Sequence, residues 1–277
     1  MADATLVLLA AALLRVPGRR LRALALGDEG ALRDWIAGES ATRLAEARRD
    51  AYRARERLAE LGARVVAIGA PEYPAGLRAL QDPPPFLTVR GTLPAHAVAP
   101  EGTAIVGSRA ADDRARAMAR ALAARAPGPI VSGLALGIDA AAHEGAVDAG
   151  IATYAYVGTG LGVTYPPEHR ELEERIVAAG GAILSEHLPD EEVKGRWLVR
   201  RDRLQAGHAA AVVLVQSDLD GGAMHTIAAA TKLGRPRYAF EPAVAAAYAG
   251  NERAIREGAV ALPWDATLAA RTLAEAG

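Results

Sequence analysis

The sequence contains no cysteine. Disulfides, thiolate metal sites and a cysteine nucleophile are therefore excluded. Aromatic residues make up only 4% of the 277 positions, so few large side chains are available to stack on a ligand. Lysine is nearly absent. Of 32 basic residues all but Lys194 and Lys232 are arginine. The formal net charge is −1, so no global excess of positive charge announces a polyanionic partner. No apolar run reaches the ~18 residues that cross a bilayer. The apolar segment Leu6–Leu14 follows Asp3, with no Arg or Lys before it. A secretory signal needs a positive leading region. The segment is expected to be a helix of the folded protein, with the chain off the membrane and in the cytoplasm.

What is present is small and apolar. Hydrophobic residues are 51% of the chain, mostly Ala, Leu and Val, which suits helices laid closely on a sheet. Residues 1–62 read as a helical domain. Helices are expected at 4–14, 20–26 and 29–36. A longer one starts after an N-cap at Ser40 and stops at Gly62. The 11 Arg of residues 1–62 against 9 acidic residues are too even for a dedicated nucleic-acid face. From Ala63 the pattern changes. Short β-type runs occur at 65–68, 86–89, 104–106, 130–131, 152–157, 182–184, 211–215, 238–240 and 260–262. Helical stretches at 110–126, 138–149, 168–179, 196–206, 223–233 and 251–257 separate most of them. Alternation of this kind predicts a mainly parallel, doubly wound sheet covered on both faces. The Pro-rich segment 71–94 is expected to lead into it.

In such a sheet, ligands bind beyond the carboxyl ends of the strands. After 104–106 comes "GSRAADDRARAMAR", where Gly107, Ser108 and Arg109 offer a tight turn, a hydroxyl and a fork donor near a helix start. After 130–131 comes "SGLALGIDAAAHEGA". Ser132 and Gly133 make the turn, and Asp139 falls where a carboxylate meets the helix dipole. His143 is expected to pack rather than to bind metal, because no third ligand accompanies it. After 152–157 comes "GTGLGVTYPPEHRE", with Gly158, Gly160 and Gly162. This is not the dinucleotide spacing, and Pro166 and Pro167 block an immediate helix. In the 196–206 helix Arg196, Arg200 and Arg203 share a face that suits phosphate, beside Arg201 and Asp202. After 211–215, Gly221 and Gly222 precede a helix with Thr226 in its first turn. No G-x-S-x-G elbow and no H-E-x-x-H occurs. No catalytic residue, cofactor or metal is expected. The turns and the arginines point to an anionic groove wider than one nucleotide needs.

The stretches "YPAGLRALQDPPPFLTVRG", "IVGSRAA", "IVSGLALGIDAAAHEGA", "VGTGLGVTYPPEHREL", "GGAILSE", "RRDR", "GGAMHT" and "GNERAIREGAVAL" together resemble the DprA/Smf family of DNA-processing proteins. They cover about residues 65–262. The resemblance implies an extended Rossmann-like core, here 63–277, preceded by a SAM-like helical domain, here 1–62. It implies single-stranded DNA binding, help in loading a RecA-type recombinase during natural transformation, and a homodimer. Carried over, it places DNA at Gly107, Ser108, Arg109, Ser132, Gly133, Asp139, Arg201 and Arg203; the glycine-rich turns and the arginine stripe add Gly158, Gly160, Arg200, Gly222 and Thr226 to the expected DNA contacts. The chain departs from the family at Leu136, where Arg is common, Gly162 (Asp), His169 (Asn), Asp202 (Asn) and Gln216 (Glu). Few aromatics are placed to stack on bases: Trp197, Tyr165, Tyr154 and Tyr156. Two other readings fit the same fold. A nucleoside monophosphate phosphoribohydrolase needs a Glu in the helix after the Gly-Gly turn, and "GGAMHTIAAATK" has none. A nucleotide-sensing module would bind a small nucleotide in preference to an oligonucleotide.

Overall fold

The structure is a computed structural model and describes residues 3–95, 99–242 and 247–275. Four N-terminal helices come first: α1 (Ala4–Leu13), α2 (Gly18–Ala25), α3 (Arg33–Ala37) and α4 (Ala41–Glu60). Ser40 caps α4 by accepting from the Arg43 N–H, which is why the helix starts there. Leu14, Val16, Leu21, Leu32 and Ala47 form a small core of their own. Leu9 and Ala51 pack against Phe86 of the sheet.

The sheet has nine strands: β1 (Ala63–Ala67), β2 (Phe86–Gly91), β3 (Thr103–Val106), β4 (Ile130–Ser132), β5 (Thr153–Tyr156), β6 (Ala182–Ser185), β7 (Ala211–Leu214), β8 (Arg237–Phe240) and β9 (Val260–Leu262). Their order is β1-β2-β6-β5-β4-β3-β7-β8-β9. β1 and β2 are antiparallel, and from β6 to β9 every pairing is parallel. The helices of this part are α5 (Asp113–Ala123), α6 (Ile138–Asp148), α7 (Arg170–Ala178), α8 (Gly195–His208), α9 (Ala223–Lys232), α10 (Ala249–Arg256) and α11 (Ala266–Glu275).

Both faces are covered, so the strands are apolar on both sides rather than alternating. Ile105, Ile130, Val213 and Phe240 pack under α5, α6 and α11. Ala104, Val106, Val131 and Leu214 point the other way, toward Leu204 of α8 and Ile227 of α9. The doubly wound α/β architecture expected from the pattern is the one observed, and each predicted strand is present. Two details differ. The helix predicted from Ala110 starts at Asp113, because Asp112 takes the cap position and its Oδ1 accepts from the Ala115 N–H at 2.8 Å. The C-terminal α11 was not expected; it buries Ala269, Ala270 and Leu273.

The topology places the site. From β3 the chain steps outward through β4, β5 and β6. α8 then carries it back to β7, on the other side of β3. The turns after β3 and β7 leave in opposite directions, which opens a crevice at the carboxyl ends of these two strands.

Candidate nucleic-acid interface

A cavity of about 350 Å³ occupies that crevice. Gly107, Ser108 and Arg109 line it from the β3 turn, and Asp218, Gly221 and Gly222 from the β7 turn. Asp139 of α6, Arg201, Asp202 and Gln205 of α8 and Thr226 of α9 complete it. A recess of about 80 Å³ shares Arg109, Ala135 and Arg201 with it and adds Gly133, Leu136, Gly158, Tyr165 and Leu198. A larger hollow of about 660 Å³ lies among the N-terminal helices. Its walls are mostly Leu, Val, Ala and Trp35, and of the two arginines that line it Arg55 is paired with Asp3, so the crevice is the better anion site.

The turn after β4 is built around one carboxylate. Asp139 Oδ2 accepts from the N–H groups of Gly133 (3.1 Å) and Ala135 (3.3 Å). Between them Leu134 is buried at φ 58°, a left-handed conformation costly for a branched side chain. His169 Nδ1–H donates to the Leu134 carbonyl at 2.8 Å and holds that residue from below. Gly137, at φ 78°, brings this turn against the β3 turn. A Cβ there would lie 2.3 Å from the Ser108 carbonyl oxygen.

Gly133 leaves room for Arg201. A Cβ on it would fall 1.3 Å from Arg201 Nη1. Arg201 is only 3% exposed. Its guanidinium lies 3.9 Å from Asp139 and 3.6 Å from Asp202, beyond good hydrogen-bond range. Its Nε and Nη1 have no hydrogen-bond partner among the described residues. A buried guanidinium with unmet N–H groups beside an open groove is prepared for an anion. Arg109 is exposed at the mouth and takes no part in the ion pairs found among the described residues. Among the described residues no side chain caps α9, whose N-cap Gly222 and first residue Ala223 line the cavity, so its N-terminal dipole also favours an anion.

Burial pushes the Asp139 carboxyl above its usual range, against the pull of Arg201. Burial likewise pushes Asp202 up to about 7, with Arg201 opposing and Asp139 adding to the rise. Between the ordinary 3.8 and about 7 the unfolded chain releases a proton that folded Asp202 keeps. This group therefore lowers stability as pH rises through that window. Asp202→Asn is expected to raise the melting temperature near pH 8 and to leave it unchanged below about pH 4. Thermal unfolding of both proteins across pH checks it.

Several expected site residues lie elsewhere. Ser132 is fully buried, and its hydroxyl donates to the Ile105 carbonyl at 2.7 Å. Gly160 packs against the 188–189 backbone, where a Cβ would meet the Leu188 carbonyl oxygen at 1.9 Å. Arg200 and Arg203 project to the opposite side of α8. Arg203 grips Glu186 with two bonds of 2.9 and 2.8 Å, and Arg200 binds Asp82 at 2.8 Å. Arg200 and Arg203 are thus held by acids outside the groove, and neither residue lines it. Of the stacking candidates, Tyr154 and Tyr156 are buried. Trp197 has the His187 ring stacked at 4.1 Å and Lys194 Nζ at 4.0 Å from its centre. Tyr165 is 38% exposed and lines the recess beside Leu136. His143 packs as expected, with Nδ1 2.7 Å from Thr153 Oγ1 and its pKa lowered to about 3 by burial. Gly221 of the Gly-Gly turn lines the cavity, and Gln205 and Asp218 line it without having been expected.

A family model described as DNA recombination-mediator protein A matches residues 64–271. The chain belongs to this family. Among its relatives is Protein Smf of Borreliella burgdorferi, 30% identical over 183 residues, 65% of this chain and 57% of that protein. Protein Smf of Synechocystis is 35% identical over 170 residues, which is 60% of this chain and 42% of that protein. The match thus spans about half the length of these two relatives. DNA processing protein DprA of Streptococcus pneumoniae is 32% identical over 190 residues, 68% of this chain and 66% of the relative. The X-ray structure of DprA from S. pneumoniae superposes with a TM-score of 0.71 at 24% identity, covering 99% of this chain and 93% of that one. DNA processing protein A from Helicobacter pylori, solved for its single-stranded DNA binding mode, gives 0.66 at 24% identity over 77% of this chain and 96% of that one. At this identity the likeness establishes the fold.

The positions at which the resemblance implies another residue have physical reasons here. His169 reaches the Leu134 carbonyl through a ring N–H, a donor that an Asn amide could also supply. Gln216 accepts from the Asp112 N–H at 2.9 Å and donates to the Asp112 carboxylate at 3.0 Å. A Glu in its place would set two carboxylates together. At Gly162 a Cβ would lie 2.5 Å from Asp190 Oδ1, so Asp190 fills the space a side chain would take. Leu136 is 45% exposed and makes the lip of the recess apolar.

Proposed function

We propose that this chain is a single-stranded DNA-binding recombination mediator. In this reading it protects incoming DNA and assists loading of a RecA-type recombinase in natural transformation. It acts as a homodimer in the cytoplasm and as a binding protein rather than an enzyme. Residues 1–62 form its helical domain and 63–277 its DNA-binding domain. The observation that carries the reading is the crevice itself. Arg109, the half-free Arg201 guanidinium and the uncapped start of α9 converge on one groove, and Tyr165 and Leu136 form its apolar lip. The groove supplies phosphate contacts, which carry no sequence information. The lip offers a ring to an unpaired base, and bases inside a duplex are not free to use it.

The test is a titration of labelled single- and double-stranded oligonucleotides at two salt concentrations. Single strands are expected to bind more tightly, with affinity falling steeply as salt rises. Arg109→Ala is expected to weaken single-strand binding by about tenfold, the scale of one charge-assisted contact. Arg200→Ala is expected to stay within about twofold, since Asp82 holds its side chain on the surface outside the groove. Equal loss from both substitutions, or none from Arg109→Ala, would remove the groove as the DNA site. Tyr165→Ala is expected to cost single-strand affinity about fivefold or more, from lost stacking, with double-strand affinity unchanged in the same titration.

A further inference from the structure

We propose that the groove takes up a proton when it binds an anionic backbone, and that Asp202 is the residue that receives it. The proposal rests on the anion-binding reading above. Its basis is the ratio of charges around one guanidinium. Arg201 stands between Asp139 at 3.9 Å and Asp202 at 3.6 Å. All three are nearly out of water, at 3%, 6% and 9% exposure for Arg201, Asp139 and Asp202. One cation therefore serves two carboxylates in a poorly solvated space.

The groups around Asp202 do not correct the imbalance. On its own helix, Gln205 donates an uncharged N–H to Asp202 Oδ1 at 3.2 Å. From the β3 turn only Arg109 adds positive charge, and it lies exposed at the mouth. From the β7 turn Asp218 adds another acid, and α9 contributes the neutral Thr226. Behind Arg201, His143 is held neutral against Thr153. His169 is tied to the Leu134 carbonyl. With every acid ionised, the lining holds Arg109 and Arg201 against Asp139, Asp202 and Asp218. That lining repels a phosphate.

One proton brings the lining to neutrality, and Asp202 is the acid placed to take it. Asp139 accepts two backbone N–H bonds that favour its charged form. Asp202 has only an amide, and its carboxyl already stands near neutral pH. Protonation leaves Arg201 with a single carboxylate to serve. Its unmet N–H groups are then free for the ligand. By reciprocity, a phosphate that arrives beside Asp202 makes that carboxyl harder to ionise.

Calorimetric titration of the wild type with oligothymidylate decides this. It is run near pH 6 and near pH 8, each in two buffers of different ionisation enthalpy. The proposal expects net uptake approaching one proton per site near pH 8 and little near pH 6. Affinity is expected to fall with rising pH by up to about tenfold per unit above pH 7. Asp202→Asn is expected to abolish the uptake, flatten the pH profile to within about twofold, and bind more tightly than wild type near pH 8. Binding without buffer-dependent heat overturns the proposal and leaves the DNA reading standing. So does uptake that persists in Asp202→Asn and disappears in His169→Asn. Absence of binding at both pH values overturns both.

Discussion

Gly133→Ala is expected to lose single-stranded DNA affinity by about tenfold or more. The new Cβ would sit 1.3 Å from Arg201 Nη1, so the guanidinium must leave its slot. The neighbouring backbone gives no alternative exit. Gly133 N–H is bonded to Asp139, and the next residue is the buried Leu134. Loss of one charge-assisted contact is worth about 1.5–3 kcal/mol, which corresponds to roughly ten- to a hundredfold in affinity. Fluorescence anisotropy with a labelled single strand checks it. The double substitution Gly133→Ala with Arg201→Ala should bind no worse than Arg201→Ala alone, because both remove the same contact. Affinity within twofold of wild type for Gly133→Ala would show that Arg201 does not hold the strand.

Asp139→Ala has the largest expected effect on stability. The carboxylate accepts two N–H groups of a turn that holds Leu134 at φ 58°. It also faces the buried Arg201. Removing it leaves the two N–H groups of Gly133 and Ala135 without their acceptor, each a recognised penalty. A loss of about 3–5 kcal/mol follows. For a chain of this size each kcal/mol lowers the melting temperature by about 2–4 °C, so a drop of roughly 6–20 °C is expected. Asp139→Asn should lose much less, because its carbonyl oxygen still accepts from the turn. Thermal unfolding of both variants separates the two causes. Equal losses would mean that charge matters and the hydrogen bonds do not.

Much of the architecture was readable along the chain because its signals are local. Short buried strands of Val, Ile, Leu and Ala alternate with helices that begin at caps such as Ser40 and end at glycines such as Gly62. The turns after β3, β4 and β7 could be found because each combines glycine with a following helix. The α8 arginines could not be assigned in this way. Spacing places Arg200 and Arg203 on one face, and that much is correct. Whether the face meets ligand or acid depends on Asp82 and Glu186, which the fold brings from distant positions. Trp197 fails as a platform for the same reason. His187, ten residues earlier, covers one ring face.

The sequence by itself determined the alternation of strands and helices, the doubly wound class, the family, and which turns carry the groove. Periodicity, capping and glycine act over a few residues, and one chain records them in full. Only the tertiary structure decided which arginine is free. Arg201 and Arg203 lie two positions apart on one helix. One enters a crevice with more carboxylate than it can pair, and the other closes on Glu186. Their difference is the identity of the partner across the fold, a property of three-dimensional packing that spacing along the helix does not encode.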